Sequence, residues 1–177
     1  MLSLAILLAL AYFFYEGAER GIWLQLFHSG GYLLSIGLAS LLYRPIAGMI
    51  ALWVPYPSAT QQSQFVFFTN KVGLTLDEAF YRGVAFICVL ALGWLITRFA
   101  ALWVHDLKYK RADRMSFITG GLLNLLMGYV FIFLLLYLVA LVPMAGLQNL
   151  LANSFMGRTM VRYSVGLTSW ITQLWIG

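Results

Sequence analysis

Three polar side chains fall where an apolar chain would be expected to carry none. His28 stands one to two turns into a long apolar run, beside Gln25 and Ser29; Asn124 sits within another run; Arg98 lies near the end of a third. A polar or ionisable group costs free energy in hydrocarbon, so each is a candidate for a proton relay, an ion path or a solute lining. A lone histidine without a neighbouring carboxylate suits a hydrogen-bonded packing role better than proton transfer. Arg98 is expected to snorkel to the surface, with the belt residue Trp103 beyond it. Gln25, His28, Arg98 and Asn124 are therefore the candidate polar lining.

Signatures of catalysis are absent from the sequence. It holds no H-E-x-x-H, P-loop, G-x-S-x-G or C-x-x-C, and no pair of acids inside an apolar run. Two histidines and one cysteine leave few ligands for a metal. Neither an enzyme nor a cofactor is expected. Cys88 cannot form an internal disulfide, and its apolar run predicts a buried structural thiol.

The surrounding elements explain the scarcity of charge. The 177 residues are 62% hydrophobic and 10% charged, against about 25% charged in soluble domains. An all-α integral membrane protein follows, one domain over 1–177, with the lipid bilayer as its first partner. Apolar runs predict four transmembrane helices at about 1–18, 21–43, 78–104 and 117–142 across a hydrocarbon layer of about 30 Å; the uncharged stretch of the first, 1–15, spans only about 22 Å and needs a few more residues to cross. Arg44-Pro45 is expected to break the second apolar run, with Pro45 at a kink or at the start of a new helix. Thr75 is the expected cap of the third, with Asp77 and Glu78 in its first turn. Over the tail, 147–177, Leu167, Trp170, Ile171, Leu174 and Trp175 recur at helical spacing among polar residues. That pattern predicts a C-terminal amphipathic helix lying in the membrane interface. Between the second and third spans, Phe65 to Phe68 are too apolar for a solvated loop and are expected to lie at the interface or pack on the helices.

Small residues carry a second signal. Gly31, Ser35 and Ala39 are four apart in the second span; Gly120, Asn124 and Gly128 are four apart in the fourth, with Gly121 beside them. Such stripes let helix backbones approach closely, and Asn124 can hydrogen-bond across the contact. They predict helix packing, within the chain or between copies in a homo-oligomer. Between the first two runs lies Tyr15-Glu-Gly-Ala-Glu-Arg-Gly-Ile-Trp23. Glu16 and Arg20, four apart, can pair on one helix face, while Gly17 and Gly21 permit a turn and a close neighbour. No Lys or Arg precedes Arg20, which disfavours a cleaved signal peptide.

The order of these features resembles the CvpA (colicin V production) family. The carrying stretches are G-A-E-R-G at the bend, Y-R-P-I-A after the second run, and a basic loop leading into T-G-G-L-L-N-L-L-M-G. P-Y-P-S, F-V-F, D-E-A-F-Y-R-G-V-A-F and G-W-L-I-T-R-F are most similar to the versions from lactobacilli and related Gram-positive bacteria. The resemblance covers essentially the whole chain and implies a bend motif of Gly17, Arg20 and Gly21, with Pro45, Gly120 and Gly121 as further family positions. It implies a non-enzymatic protein of the bacterial cytoplasmic membrane that supports toxin (bacteriocin) production or secretion, or cell-envelope homeostasis. Packing with itself or with other membrane proteins would be its means. The other functional reading is a small oligomeric transporter or channel lined by Gln25, His28 and Asn124.

Charge bias sets the expected orientation. Lys108, Lys110, Arg111 and Arg114 make the loop before the fourth span the most basic, which predicts that it is cytoplasmic. The bend at Glu16 to Arg20 would share that side, and both termini would lie outside. The net charge of +5 fits loop orientation and anionic headgroups; no nucleic-acid partner is expected.

Overall fold

The structure is a computed structural model that describes residues 1–57, 65–68, 76–109, 113–164 and 166–177. Its elements are α1 (Leu2–Ile50), α2 (Leu76–Ala100), a 3₁₀ turn (His105–Tyr109), α3 (Arg114–Ala140), α4 (Ala145–Ala152), α5 (Phe155–Tyr163) and α6 (Leu167–Trp175). Three of these, α1, α2 and α3, are long and apolar enough to cross a membrane. Three helical elements, not the expected four, are thus long and apolar enough to cross, because two of the expected spans lie in one element. The ranges 1–18 and 21–43 belong to one 49-residue helical element, interrupted only where Gly21 adopts φ 70° and ψ 172°. A single glycine in that left-handed region redirects the chain without any intervening loop.

How sharply it redirects follows from one side chain. Asn124 Nδ2 donates to the Phe13 carbonyl at 2.7 Å, and Asn124 Oδ1 accepts from Gln25 Nε2 at 3.0 Å. On a straight helix, residues 13 and 25 would be about 18 Å apart. One amide cannot reach both, so the halves of α1 on either side of Gly21 fold back against each other. The turn frees the Ile22 N–H, which donates to Ser116 Oγ on α3 at 3.0 Å.

The remaining contacts fix the directions. Along α1, Gly17 meets Gly120 and Phe13 meets Gly128, so the first half runs antiparallel to α3; Gly31 meets Thr97 and Ser35 meets Gly93, so the second half runs antiparallel to α2. One end of the bundle therefore gathers the Gly21 turn, the end of α2 and the start of α3. That start is capped by Asp113, whose carboxylate accepts from the Ser116 N–H at 2.8 Å. The opposite end gathers Ser3, the end of α3 and the three short tail helices, with Ser3 Oγ hydrogen-bonded to Ser154 Oγ at 3.0 Å.

The tail departs from expectation. It forms α4, α5 and α6 rather than one helix, and the apolar side of α6 points into the bundle. Ile171 and Trp175 are fully buried. Trp175 packs edge-on against Phe86 of α2 and Tyr137 of α3, at 5.8 and 5.6 Å between ring centroids. Tyr137 and Thr172 share a hydroxyl hydrogen bond of 2.8 Å. Helical periodicity requires that something cover an apolar face; here protein covers it.

Other boundaries move for similar reasons. α1 continues through Arg44-Pro45 to Ile50; a proline within a helix is tolerated in apolar surroundings when neighbours accommodate it, and Arg44 folds onto Tyr43, donating Nε to its hydroxyl at 2.9 Å. The third expected span starts at Leu76 and yields to turns after Ala100; Thr75, its expected cap, lies outside the described residues, as do Lys71, Lys110 and Arg111. Phe65 and Phe68 pack on the helices, Phe68 edge-on to Tyr137 at 6.1 Å, and the Val66 N–H donates to Gln148 Oε1 at 3.0 Å. Cys88, expected to be buried, is exposed. An apolar run predicts burial in protein only for a protein in water; here much of the outer face is itself apolar, with Leu34, Leu41, Ile96 and Leu126 all exposed.

Candidate functional site

Close backbone contact between the first half of α1 and α3 positions the site. A Cβ added to Gly17 would lie 2.5 Å from the Gly120 carbonyl oxygen and collide with Asn124 Cβ; one added to Gly120 would lie 2.6 Å from the Gly17 carbonyl oxygen. Both residues must therefore be glycine for the helices to touch here. Gly121 and Gly128 receive the rings of Phe14 and Phe13. The second stripe works the same way, with Gly31 against Thr97, Ser35 against Gly93 and Ala39 fully buried. Both predicted stripes thus pack within the chain. Gly93 and Thr97, also four apart, are packing partners that the small-residue spacing of α2 could have revealed.

That contact brings Asn124 to the centre of a continuous polar chain. Glu16 Oε1 accepts from Arg20 Nη2 at 2.5 Å and forms an ion pair with Arg98 Nη2 at 3.1 Å. Arg20 Nη1 donates to Gln25 Oε1 at 3.1 Å. Gln25 Nε2 in turn donates to Asn124 Oδ1 and, at 3.2 Å, to Ser29 Oγ. Asn124 closes the chain on the Phe13 carbonyl. The network fixes both amide orientations, since each oxygen meets a donor and each nitrogen an acceptor. Gln25 is completely buried and Asn124 nearly so, so their mutual satisfaction removes what would otherwise be a large desolvation cost.

His28 stands apart from this chain. Its Nδ1 contacts the Leu24 carbonyl at 2.9 Å, and its ring lies edge-on between Phe27 and Tyr32. Arg98, expected near Trp103, instead reaches Glu16 and places its guanidinium 5.0 Å from the Trp94 ring centroid. This pairing across 82 positions of sequence has no local signature. Trp103 points outward, 90% exposed, beyond the end of α2.

Beside the network lies a cavity of about 560 Å³ between α1, α2 and α3. Glu16, Tyr32, Arg98 and Asn124 line its charged end; Phe13, Ile36, Leu90, Val130 and Leu134, with Tyr12 and Ser35, line the rest. Of the expected polar lining, Arg98 and Asn124 face it, whereas Gln25 and His28 are not among its walls. No group of three or more His, Cys, Asp or Glu side chains suited to a metal ion occurs among the described residues.

Comparison with known proteins matches this architecture to a family. The profile of the family described as Colicin V production protein matches residues 2–165. The chain belongs to the colicin V production family. The Gly17, Arg20 and Gly21 bend of this family member is thus the turn and ion-pair centre of the bundle. A relative from Bacillus subtilis (strain 168), described as the uncharacterized transmembrane protein YshB, is 27% identical over 180 residues, covering 99% of this chain and 97% of the relative. No solved structure matches the chain. With a transmembrane relative over its full length and helices of membrane-crossing length and apolarity, this colicin V production family protein is a multi-pass membrane protein.

Proposed function

We propose that the protein is a non-enzymatic scaffold of the bacterial cytoplasmic membrane. It supports peptide-toxin production or secretion, or upkeep of the cell envelope, by packing its helices with copies of itself or with other membrane proteins. One observation carries the reading: the buried amides Gln25 and Asn124 are hydrogen-bonded to each other and to the Phe13 carbonyl. Groups so engaged hold helices together and are unavailable to a passing solute. The bend end, with Arg114 and the 3₁₀ turn, faces the cytoplasm, in keeping with the positive charge concentrated there.

A second reading, a small oligomeric transporter or channel, is favoured by Asn124 and Arg98 facing the cavity. Its other polar residues, Gln25 and His28, do not line that space, and α1 is continuous through Arg44-Pro45, whereas many transporters interrupt a helix near mid-membrane. Purified protein in liposomes separates the two. The scaffold reading expects no ion or solute flux and a defined oligomer or co-purifying membrane protein. Robust flux abolished by His28→Ala or Asn124→Leu would overturn it. Labelling of cysteines introduced between residues 108 and 114, in a Cys88→Ser background, tests the orientation; reaction with an impermeant reagent from outside the cell would reverse it.

A further inference from the structure

We propose that the cavity between α1, α2 and α3 is a binding site for an anionic amphiphile, with its acyl chain in the apolar part and its acidic head on Arg98. Three observations converge. The volume, about 560 Å³, falls in the range of about 300–1,000 Å³ typical of small-ligand sites. The cavity is charged at one end alone, at Glu16 and Arg98: it extends from Arg98 to Leu90 along α2 and from Asn124 to Leu134 along α3, about 12 and 15 Å at helical rise. Because α2 and α3 are antiparallel, both paths lead from the charged end to the apolar end. An elongated apolar space with a polar mouth matches a chain with a headgroup.

The sign of the headgroup follows from the charge count. One carboxylate, Glu16, faces two guanidinium groups, Arg20 and Arg98, leaving the cluster with one excess positive charge. The excess resides on Arg98. Arg20 is nearly enclosed, with 11% of its side chain exposed, and donates from both terminal nitrogens. Arg98 is 47% exposed and its Nη2 makes only an ion-pair contact with Glu16, leaving its planar fork for a second carboxylate or a phosphate. The Trp94 ring, 5.0 Å from that guanidinium, also lines the cavity. A neutral head would leave this charge uncompensated, and a cationic head would be repelled.

Carboxylate and phosphate heads share this chemistry and could come from a free fatty acid or a bilayer phospholipid. Tryptophan quenching by brominated acyl chains distinguishes them, with Trp94→Phe protein isolating the Trp94 signal. Detergent-solubilised full-length protein is titrated with brominated phosphatidylglycerol, phosphatidylcholine, fatty acid and fatty-acid methyl ester. The proposal expects at least one acidic probe to quench Trp94 at about tenfold lower mole fraction than its uncharged or zwitterionic counterpart, or about 1.4 kcal/mol. Preference for the phospholipid assigns a bilayer lipid; preference for the free acid assigns a fatty acid. Ala91→Phe, which fills the cavity without touching the ion cluster, and Arg98→Gln should each reduce the preference below about twofold. Arg98→Lys keeps the charge without the fork, retains about threefold, and serves where Arg98→Gln does not fold by circular dichroism. Equal quenching by acidic and non-acidic probes, or a preference that survives Ala91→Phe, overturns the proposal.

Discussion

The two ends of the bundle are closed by different physics. At the bend end, glycines let α1 and α3 touch backbone to backbone, and a chain of charges and amides from Arg98 to Phe13 crosses the contact. At the tail end, aromatic rings close the structure: Trp175 fits among Phe86 and Tyr137 with its indole N–H unpartnered among the described residues. The first end needs the right atoms at fixed distances. The second, although hydrogen bonds such as Tyr137–Thr172 surround it, is centred on ring volume and tolerates an unsatisfied polar atom. Substitutions should therefore fail differently at each end.

The sharpest break is Gly17→Leu. Its side chain would have to occupy the Gly120 backbone, which cannot move aside as a side chain can, and we expect no folded protein by size-exclusion chromatography. Trp175→Ala should empty the tail end and cost about 3–5 kcal/mol, measured by denaturant titration; protease should then cut after residue 142 first. Glu16→Gln leaves Arg20 and Arg98 facing each other without their shared anion, at a cost of about 2–3 kcal/mol once the partial exposure of Arg98 is discounted. Asn124→Leu removes one bond from Gln25, which keeps Arg20 and Ser29, and the side-chain donor of the Phe13 carbonyl; it should cost about 1–2 kcal/mol, because hydrogen bonds within membranes are individually modest.

The smallest effect belongs to Tyr56, whose hydroxyl donates to the Leu141 carbonyl at 2.9 Å at the tail end. Burial, then Asp77 and Tyr81, push its phenol up to about 12. The folded state holds this proton more tightly than the unfolded chain does, so the stabilisation is complete below the ordinary value of about 10. It is lost as pH rises from there through about 12. Tyr56→Phe should lower the melting temperature slightly at neutral pH and flatten its decline in that alkaline window.

Legibility also differs between the two regions. Glu16 with Arg20, and Gly120 with Asn124 and Gly128, could be read because helical neighbours repeat at fixed spacing. The partner of Glu16 on α2 could not, since nothing local in sequence links positions 16 and 98. The expected spans 1–18 and 21–43 lie in one helical element because no loop is needed between them: Glu16 and Arg20 neutralise each other and Gly21 turns the chain alone. At the other end, periodicity correctly marks one apolar face on 167–175. It carries no information on whether lipid or protein covers that face, and so the burial of Ile171 and Trp175 was hidden. The exposed position of Cys88 was obscured by the same ambiguity.

The hydrogen bond between Ser3 and Ser154 joins residues 151 positions apart. During synthesis the first half of α1 can settle against α3 as soon as the latter is made, but Ser3 must wait for α5. Until then the tail end of the bundle stands open, with Tyr137 and Phe86 lacking the indole that covers them. The tail helices, made after α3, thus act as a seal on an already assembled bundle, and the interval before they dock is when membrane proteases have their best opportunity to remove a faulty copy.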